Sequence, residues 1–188
     1  EMMVSVAIFA IVMTISLGAL LSMSESDRKA QTFKSVINNL NFAMDSMTRS
    51  IRTGQIYHCD ISQGSISVTR DCKDSSQGGP ASSFAFRPAD NINTFIYRLE
   101  SVDPNICNQF TGPVGCIVRS TDGGSTYSSI TSSEVYISTL RFYVTGTTVA
   151  DGIQPKVTVL ISGEVTVSVT QKSTLNLQTS VTQRIYDQ

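Results

Sequence analysis

The sequence contains few charged residues and no excess of either sign. Among its 188 residues, 14 are basic and 15 are acidic, which gives a formal net charge of −1. Proteins that bind nucleic acid through its phosphate backbone need a concentrated basic surface. We therefore do not expect nucleic acid as a partner.

Groups that carry out chemistry are also scarce. The sequence has one histidine, His58, and it lacks a Cys-x-x-Cys pair, a Gly-x-Ser-x-Gly motif and a glycine-rich phosphate loop. The Asp122-Gly-Gly stretch resembles part of a calcium loop, but the carboxylates that would complete the oxygen shell do not follow, so we interpret it as a turn. His58 is interpreted as a loop or strand residue. We predict a protein that is not an enzyme and that needs no cofactor or metal.

The four cysteines, Cys59, Cys72, Cys107 and Cys116, all lie in the later part of the chain. An even number of cysteines in an exported domain favours two disulfides. Three pairings are possible, and we favour nearest-neighbour pairing, Cys59 with Cys72 and Cys107 with Cys116, because it closes the two shortest loops. A zinc site is the competing interpretation, but one histidine and no Cys-x-x-Cys pair support it poorly.

No charged residue occurs from Met2 to Met23, and this segment is strongly apolar. About twenty apolar residues in a helix span a hydrocarbon core of roughly 30 Å. A cleavable signal is not expected, because the segment lacks a basic start and exceeds the length of a signal core. We interpret it as a retained membrane segment, in which hydroxyl groups bond back to helix carbonyls at Ser5, Thr14, Ser16 and Ser22.

The helical pattern continues beyond the apolar segment, with no proline or glycine between Gly18 and Gly54. We expect Gly54 to form a left-handed C-cap, and Arg49 and Arg52 to complement the helix dipole. Apolar residues spaced three and four apart lie on one face of this part of the helix. We predict that this face docks on the rest of the protein through Phe33, Ile37, Leu40, Met44, Met47 and Ile51.

The chain is thus divided into three parts. Residues 1–24 form the apolar half of one long helix, residues 25–54 form its amphipathic half, and residues 55–188 form a disulfide-containing β-rich head domain. One helix of about fifty residues would be on the order of 80 Å long. An ordinary single-pass anchor followed by a coiled-coil stalk is the alternative on periodicity alone.

The head domain shows alternating patterns typical of strands. The predicted strands are Ser65–Arg70, Thr94–Glu100, Val135–Val144, Lys156–Ile161, Val165–Val169 and Leu175–Val181. Residues 71–83 and 119–129 are rich in Gly, Ser and Asp and are predicted to be surface loops. No further helix is expected. The fold class is therefore α+β, with the long helix packed on an antiparallel sheet whose apolar face it covers.

The first residues, EMMVSVAIFAIVMTISLGALLS, resemble the N-terminal segment of type IV pilins and pseudopilins. The resemblance implies that Glu1 matches the family glutamate, which pairs with the methylated N-terminal amine of a neighbouring subunit in a filament. A basic leader and four residues are expected before Glu1. The family's helix-loosening proline is absent from this segment, so Gly18 is the only residue available to weaken the helix. Filament contacts are assigned to Glu1, Val4, Ile8, Ile11, Ile15 and Gly18.

The resemblance implies a structural subunit of an extracellular type IV pilus, which waits in the cytoplasmic membrane and is then assembled with copies of itself. Its expected partners are those copies, the pilus assembly machinery and, before assembly, membrane lipid. One alternative is a minor pilin or a pseudopilin of a type II secretion system, since YRLESV, VYISTLRFYVTG and LNLQTSVTQRIYD are similar to strands of that branch. A second alternative is a membrane-anchored extracellular binding protein that does not polymerise.

Overall fold

The computed structural model describes residues 2–62, 64–72, 79–89, 93–148, 151–168 and 171–184. It has the predicted α+β arrangement, a long N-terminal helix followed by antiparallel β-structure. In chain order, the elements are α1 (Met2–Arg52), β1 (Gly54–Cys59), β2 (Ser83–Pro88), β3 (Phe95–Glu100), α2 (Pro104–Cys107), β4 (Cys116–Ser120), β5 (Ser128–Ser129), β6 (Val135–Thr145), β7 (Lys156–Ser168) and β8 (Gln171–Thr182).

Helix α1 ends at Arg52, and the chain enters β1 without the predicted left-handed cap. Gly54 has no positive φ, so the expectation for this residue was wrong. A Cβ at this position would overlap the ring of Phe86 on β2 and would lie 3.1 Å from the carbonyl oxygen of Ile51. Glycine is needed here because the helix end and β2 approach the backbone closely.

The strands form two antiparallel sheets, one with the order β1-β2-β3-β4-β5 and one with the order β6-β7-β8. The predicted strand Lys156–Ile161 and residues 165–168 of the predicted strand Val165–Val169 are parts of the single strand β7, and Val169 lies outside the described residues. Gly163 lies between these two segments. A Cβ at this position would lie 2.6 Å from the carbonyl oxygen of Tyr136, so the glycine lets β6 approach β7 closely.

Residues 70–72 connect the two sheets. The amide of Arg70 donates to Tyr57 on β1, at 2.9 Å, and the amide of Cys72 donates to Val144 on β6, also at 2.9 Å. The rest of the predicted strand Ser65–Arg70 consists of turns, which corrects that prediction. Its two serine hydroxyls lie 2.7 Å apart, a local contact of the kind that competes with strand pairing.

A short helix, α2, contradicts the expectation that no helix follows α1. Asp103 caps it by accepting a hydrogen bond from the amide of Asn105 at 2.8 Å, and Asn108 ends it in the left-handed conformation. Strands β1 and β2 were not predicted from the sequence. The two predicted loops are also shorter than expected, because Ser83 begins β2, Cys116–Ser120 forms β4 and Ser128–Ser129 forms β5. Residues 73–78 of the first loop lie outside the described residues.

The core lies between the amphipathic half of α1 and the two sheets. Its largest side chains are aromatic and come from both sheets, and Phe84 of β2 stacks on Phe142 of β6 with ring centroids 5.4 Å apart. Tyr57 donates its hydroxyl hydrogen to the carbonyl oxygen of Ile51 near the end of α1. Burial raises the pKa of the Tyr57 hydroxyl far above its ordinary value, so this donor stays protonated. The core thereby fixes the end of α1 and the direction of the helix.

Candidate functional site

The apolar half of α1 stands clear of the head domain. Side chains from residue 2 to residue 28 are all exposed, and the first fully buried residue of the helix is Val36. At 1.5 Å per residue, the exposed part is roughly 40 Å long. Exposure is high at both ends of the apolar half, 87% for Met2 and 72% for Leu21. The head domain therefore leaves a long apolar rod uncovered, formed by the uncharged residues 2–23, which make up about 33 Å of this exposed part.

This rod is apolar on all sides. The predicted filament contacts Val4, Ile8, Ile11 and Ile15 lie along one side and are exposed. Large apolar residues on the other sides are exposed to a similar degree: Val6, Phe9, Val12, Met13, Leu17 and Leu20. A helix that is apolar all round needs a surrounding apolar medium or other helices. Glu1, another predicted contact, lies outside the described residues.

The rod has the length and composition of a membrane span. α1 is long and apolar enough to cross a membrane, its apolar part is entirely uncovered by the rest of the chain, and α1 is the one such helix in the described part of the protein. This agrees with the expected transmembrane helix. Membrane anchoring through α1 is consistent with these properties.

Two hydroxyl groups within the rod are satisfied by the helix itself. The hydroxyl of Thr14 donates to the carbonyl oxygens of Ala10 and Ile11, each at 2.9 Å, and the hydroxyl of Ser16 donates to Val12 at 2.8 Å. Such bonds remove most of the cost of placing hydroxyls in an apolar environment. The helix continues unbroken through Gly18, and a Cβ there would meet no atom within 4 Å.

Charges begin immediately after the rod. Glu25 and Lys29 form an ion pair of 2.8 Å one helical turn apart. Both residues lie on the helix surface before it reaches the head domain. The helix thus changes from uncharged to charged while it is still uncovered, which defines the end of the apolar half.

The docking face of the amphipathic half is rotated slightly from the predicted one. Leu40, Met44, Met47 and Ile51 are buried, whereas Phe33 and Ile37 are half-buried. Sequence reasoning missed two buried positions, Val36 and Ala43. These two have the same three-and-four spacing with Leu40 and Met47, so the pattern contains two overlapping stripes. The helix reaches the head domain only near Val36, which leaves Phe33 at the margin.

The head domain is held by the two disulfides Cys59–Cys72 and Cys107–Cys116, the pairs favoured from the sequence. Gln109 fixes the loop closed by Cys107–Cys116 to β6. Its side-chain amide nitrogen donates to the carbonyl oxygen of Val135 at 2.7 Å, and its side-chain oxygen accepts from the backbone amide of Gly115 at 2.7 Å. A stapled loop of this kind resists rearrangement at the surface.

No catalytic arrangement is visible in the described residues. His58 lies in β1, where it is buried, with Nδ1 2.7 Å from the carbonyl oxygen of Val68. A cleft of about 290 Å³ opens between the Cys107–Cys116 loop and strands β6, β7 and β8, with the Glu164–Lys172 ion pair, 3.2 Å long, on its wall. Within the ranges that the structure describes, no three His, Cys, Asp or Glu side chains come together to hold a metal.

No family model matches the chain, and comparisons with curated proteins and with solved structures find no match to it either.

Proposed function

We propose that this chain is a filament subunit of the type IV pilin class, anchored in a membrane by the apolar half of α1 before assembly. The observation that carries the proposal is the uncovered apolar rod, continuous with a helix that is firmly docked on a disulfide-stapled head. A membrane covers such a rod before assembly, and the rods of neighbouring copies cover it afterwards. The sequence resemblance at residues 1–22 supports the same assignment.

The division of α1 into two halves explains how one helix can both dock on the head domain and present a rod to a membrane or to other copies. Its amphipathic half is fixed by buried side chains from Val36 to Ile51, so its apolar half is presented at a defined angle. Each large apolar side chain removed from water contributes about 1.5–3 kcal/mol, and the rod carries many of them. This free energy is gained relative to water, so it holds the rod in a membrane before assembly and requires that other rods cover it once it has left the lipid.

Adhesion, motility, secretion and DNA uptake all use a filament of this kind, and the proposal covers the shared structural role. A pseudopilin or minor pilin would have the same rod and would form short or accessory assemblies. A membrane-anchored binding protein would keep the rod in lipid and form no filament. The test below separates these outcomes.

The test is assembly of the full-length chain with the pilus machinery, scored by electron microscopy of sheared surface filaments. Ile8→Asp places a carboxylate in the rod, where burial in an apolar medium costs about 2.5–3.5 kcal/mol, and should abolish filaments. The matched control is Phe42→Asp, which makes a similar exchange on the same helix at an exposed position in the amphipathic half. Filaments formed normally by Ile8→Asp would refute the proposal.

A further inference from the structure

Strand β8 forms the outer edge of the three-stranded sheet, and no described strand pairs with its outer side. It is 12 residues long and pairs with β7 in unbroken register from Thr182 opposite Lys156 to Lys172 opposite Thr166. Natural edge strands are usually protected by proline, a bulge, charges or short length. β8 has no proline, no bulge in this register and one charged residue, Lys172, at its beginning. Beyond β8 the amide of Arg184 donates to the carbonyl oxygen of Arg52 at the end of α1, at 2.8 Å, so the edge that is open to another strand is β8 itself, up to Thr182.

One hydrogen bond shows which backbone groups of β8 point away from β7. The amide of Gln183 donates to the carbonyl oxygen of Pro155 at 2.9 Å, which sets the phase of the β7–β8 ladder. Because antiparallel bonding alternates along a strand, odd-numbered residues bond to β7 and even-numbered residues point their amides and carbonyls outward. The outward residues are Lys172, Thr174, Asn176, Gln178, Ser180 and Thr182, and their side chains are exposed.

We propose that the β8 edge pairs with the β8 edge of a second copy, antiparallel and centred on Leu177. In this register every outward residue of one copy meets an outward residue of the other, so that Asn176 faces Gln178. The half-buried Leu177 meets its own symmetry mate, at a Cα separation of about 4.5 Å. The charges favour this direction, because the two Lys172 side chains lie about 33 Å apart. A parallel pairing would place them side by side.

The pairing determines the direction of the two α1 helices. Two antiparallel edge strands are related by a twofold axis perpendicular to the sheet, and this axis reverses every direction in the sheet plane. α1 packs against β7 and β8. A helix that packs on the face of a sheet lies close to the sheet plane, so the two helices point in opposite directions. Copies in one bilayer cannot pair in this way. Copies on two facing membranes, or in filaments that run in opposite directions, can pair. This choice of location rests on the proposed function, whereas the pairing of the two β8 edges does not.

The experiment uses the full-length chain inserted singly into lipid nanodiscs, so that each rod is covered by its own bilayer and filaments cannot form. Mass photometry should detect paired discs. Gln178→Pro removes an outward amide without removing a bond to β7, and it should abolish the pairs while leaving the melting temperature of the head nearly unchanged. Gln178→Ala keeps the amide and should still pair. Gln178→Lys places two like charges diagonally across the axis, about 7–8 Å apart, and should weaken the pairs.

A cross-link tests the register. The described residues contain no free cysteine, so a single introduced thiol is distinctive. Discs that carry Asn176→Cys, mixed with discs that carry Gln178→Cys, should give covalent mixed dimers with a short bismaleimide, at least tenfold more than Ser129→Cys on the edge of the other sheet. Wild-type discs that remain single, or pairs that persist in Gln178→Pro and are undiminished in Gln178→Lys, would overturn the proposal. Binding of an extended peptide to discs that remain single would show a different occupant and would also overturn it.

Discussion

Replacement of Leu40 by alanine tests whether the amphipathic half docks on its own head domain. Leu40 is 1% exposed and lies in the main core, where a leucine-to-alanine change typically costs 2–5 kcal/mol. We expect Leu40→Ala to lower the free energy of unfolding by about 3 kcal/mol, since side chains of the sheets enclose Leu40. For a domain of this size, 1 kcal/mol shifts the melting temperature by about 2–4 °C, so the expected decrease is about 6–12 °C.

The assay is thermal unfolding of the chain from residue 25 onward, followed by circular dichroism. Phe42→Ala is the matched control, because Phe42 lies on the same helix but is 76% exposed, and it should change stability by no more than about 0.5 kcal/mol. Leu40→Asp should be more damaging than Leu40→Ala, because it buries a charge. An unchanged melting temperature for Leu40→Ala and Leu40→Asp would show that this face serves a neighbouring subunit instead.

Three further predictions concern the head domain and the helix. Mass spectrometry without reductant should find no free thiol and should link Cys59 to Cys72 and Cys107 to Cys116, and loss of either bond should cost about 2–4 kcal/mol; alkylation of all four cysteines would contradict this. Gly54→Ala should lower the melting temperature because its methyl group meets Phe86, whereas Gly18→Ala should leave it unchanged or raise it, and equal effects would contradict the close approach. Hydrogen bonds from Ser120 and Thr126 hold the pKa of Asp122 well below its ordinary value, so its stabilising contribution should be full above about pH 4 and should fade as the pH falls below that; the melting difference between wild type and Asp122→Asn should therefore shrink in acid, and a constant difference would contradict it.

The helix was predictable because its signals are local. An uncharged run from Met2 to Met23 and an uninterrupted three-and-four spacing up to Ile51 specify one long helix without any knowledge of its partner. The rotation of the docking face was not predictable, because it depends on where the helix first touches the head. Val36 and Ala43 become buried only through that contact.

The strands were predicted less well. β6, β7 and β8 carry clear alternation, whereas β1 and β2 are buried on both faces over most of their length and therefore lack a period of two. The role of Gly54 was misassigned for a related reason. Close approach of Phe86, some thirty residues away in sequence, leaves no local signal at the glycine.

The direct test of helix packing is a cysteine cross-link within sheared filaments. Ile11→Cys places a thiol in the rod, while Met44→Cys places one in the core between the helix and its own head. If the rods of neighbouring copies pack together, treatment of filaments with a long flexible bismaleimide, which does not require the same residue of two copies to touch, should give covalent dimers from Ile11→Cys and none from Met44→Cys. Filaments in which Ile11→Cys stays monomeric, or in which Met44→Cys forms the dimers, would contradict the proposed division of α1.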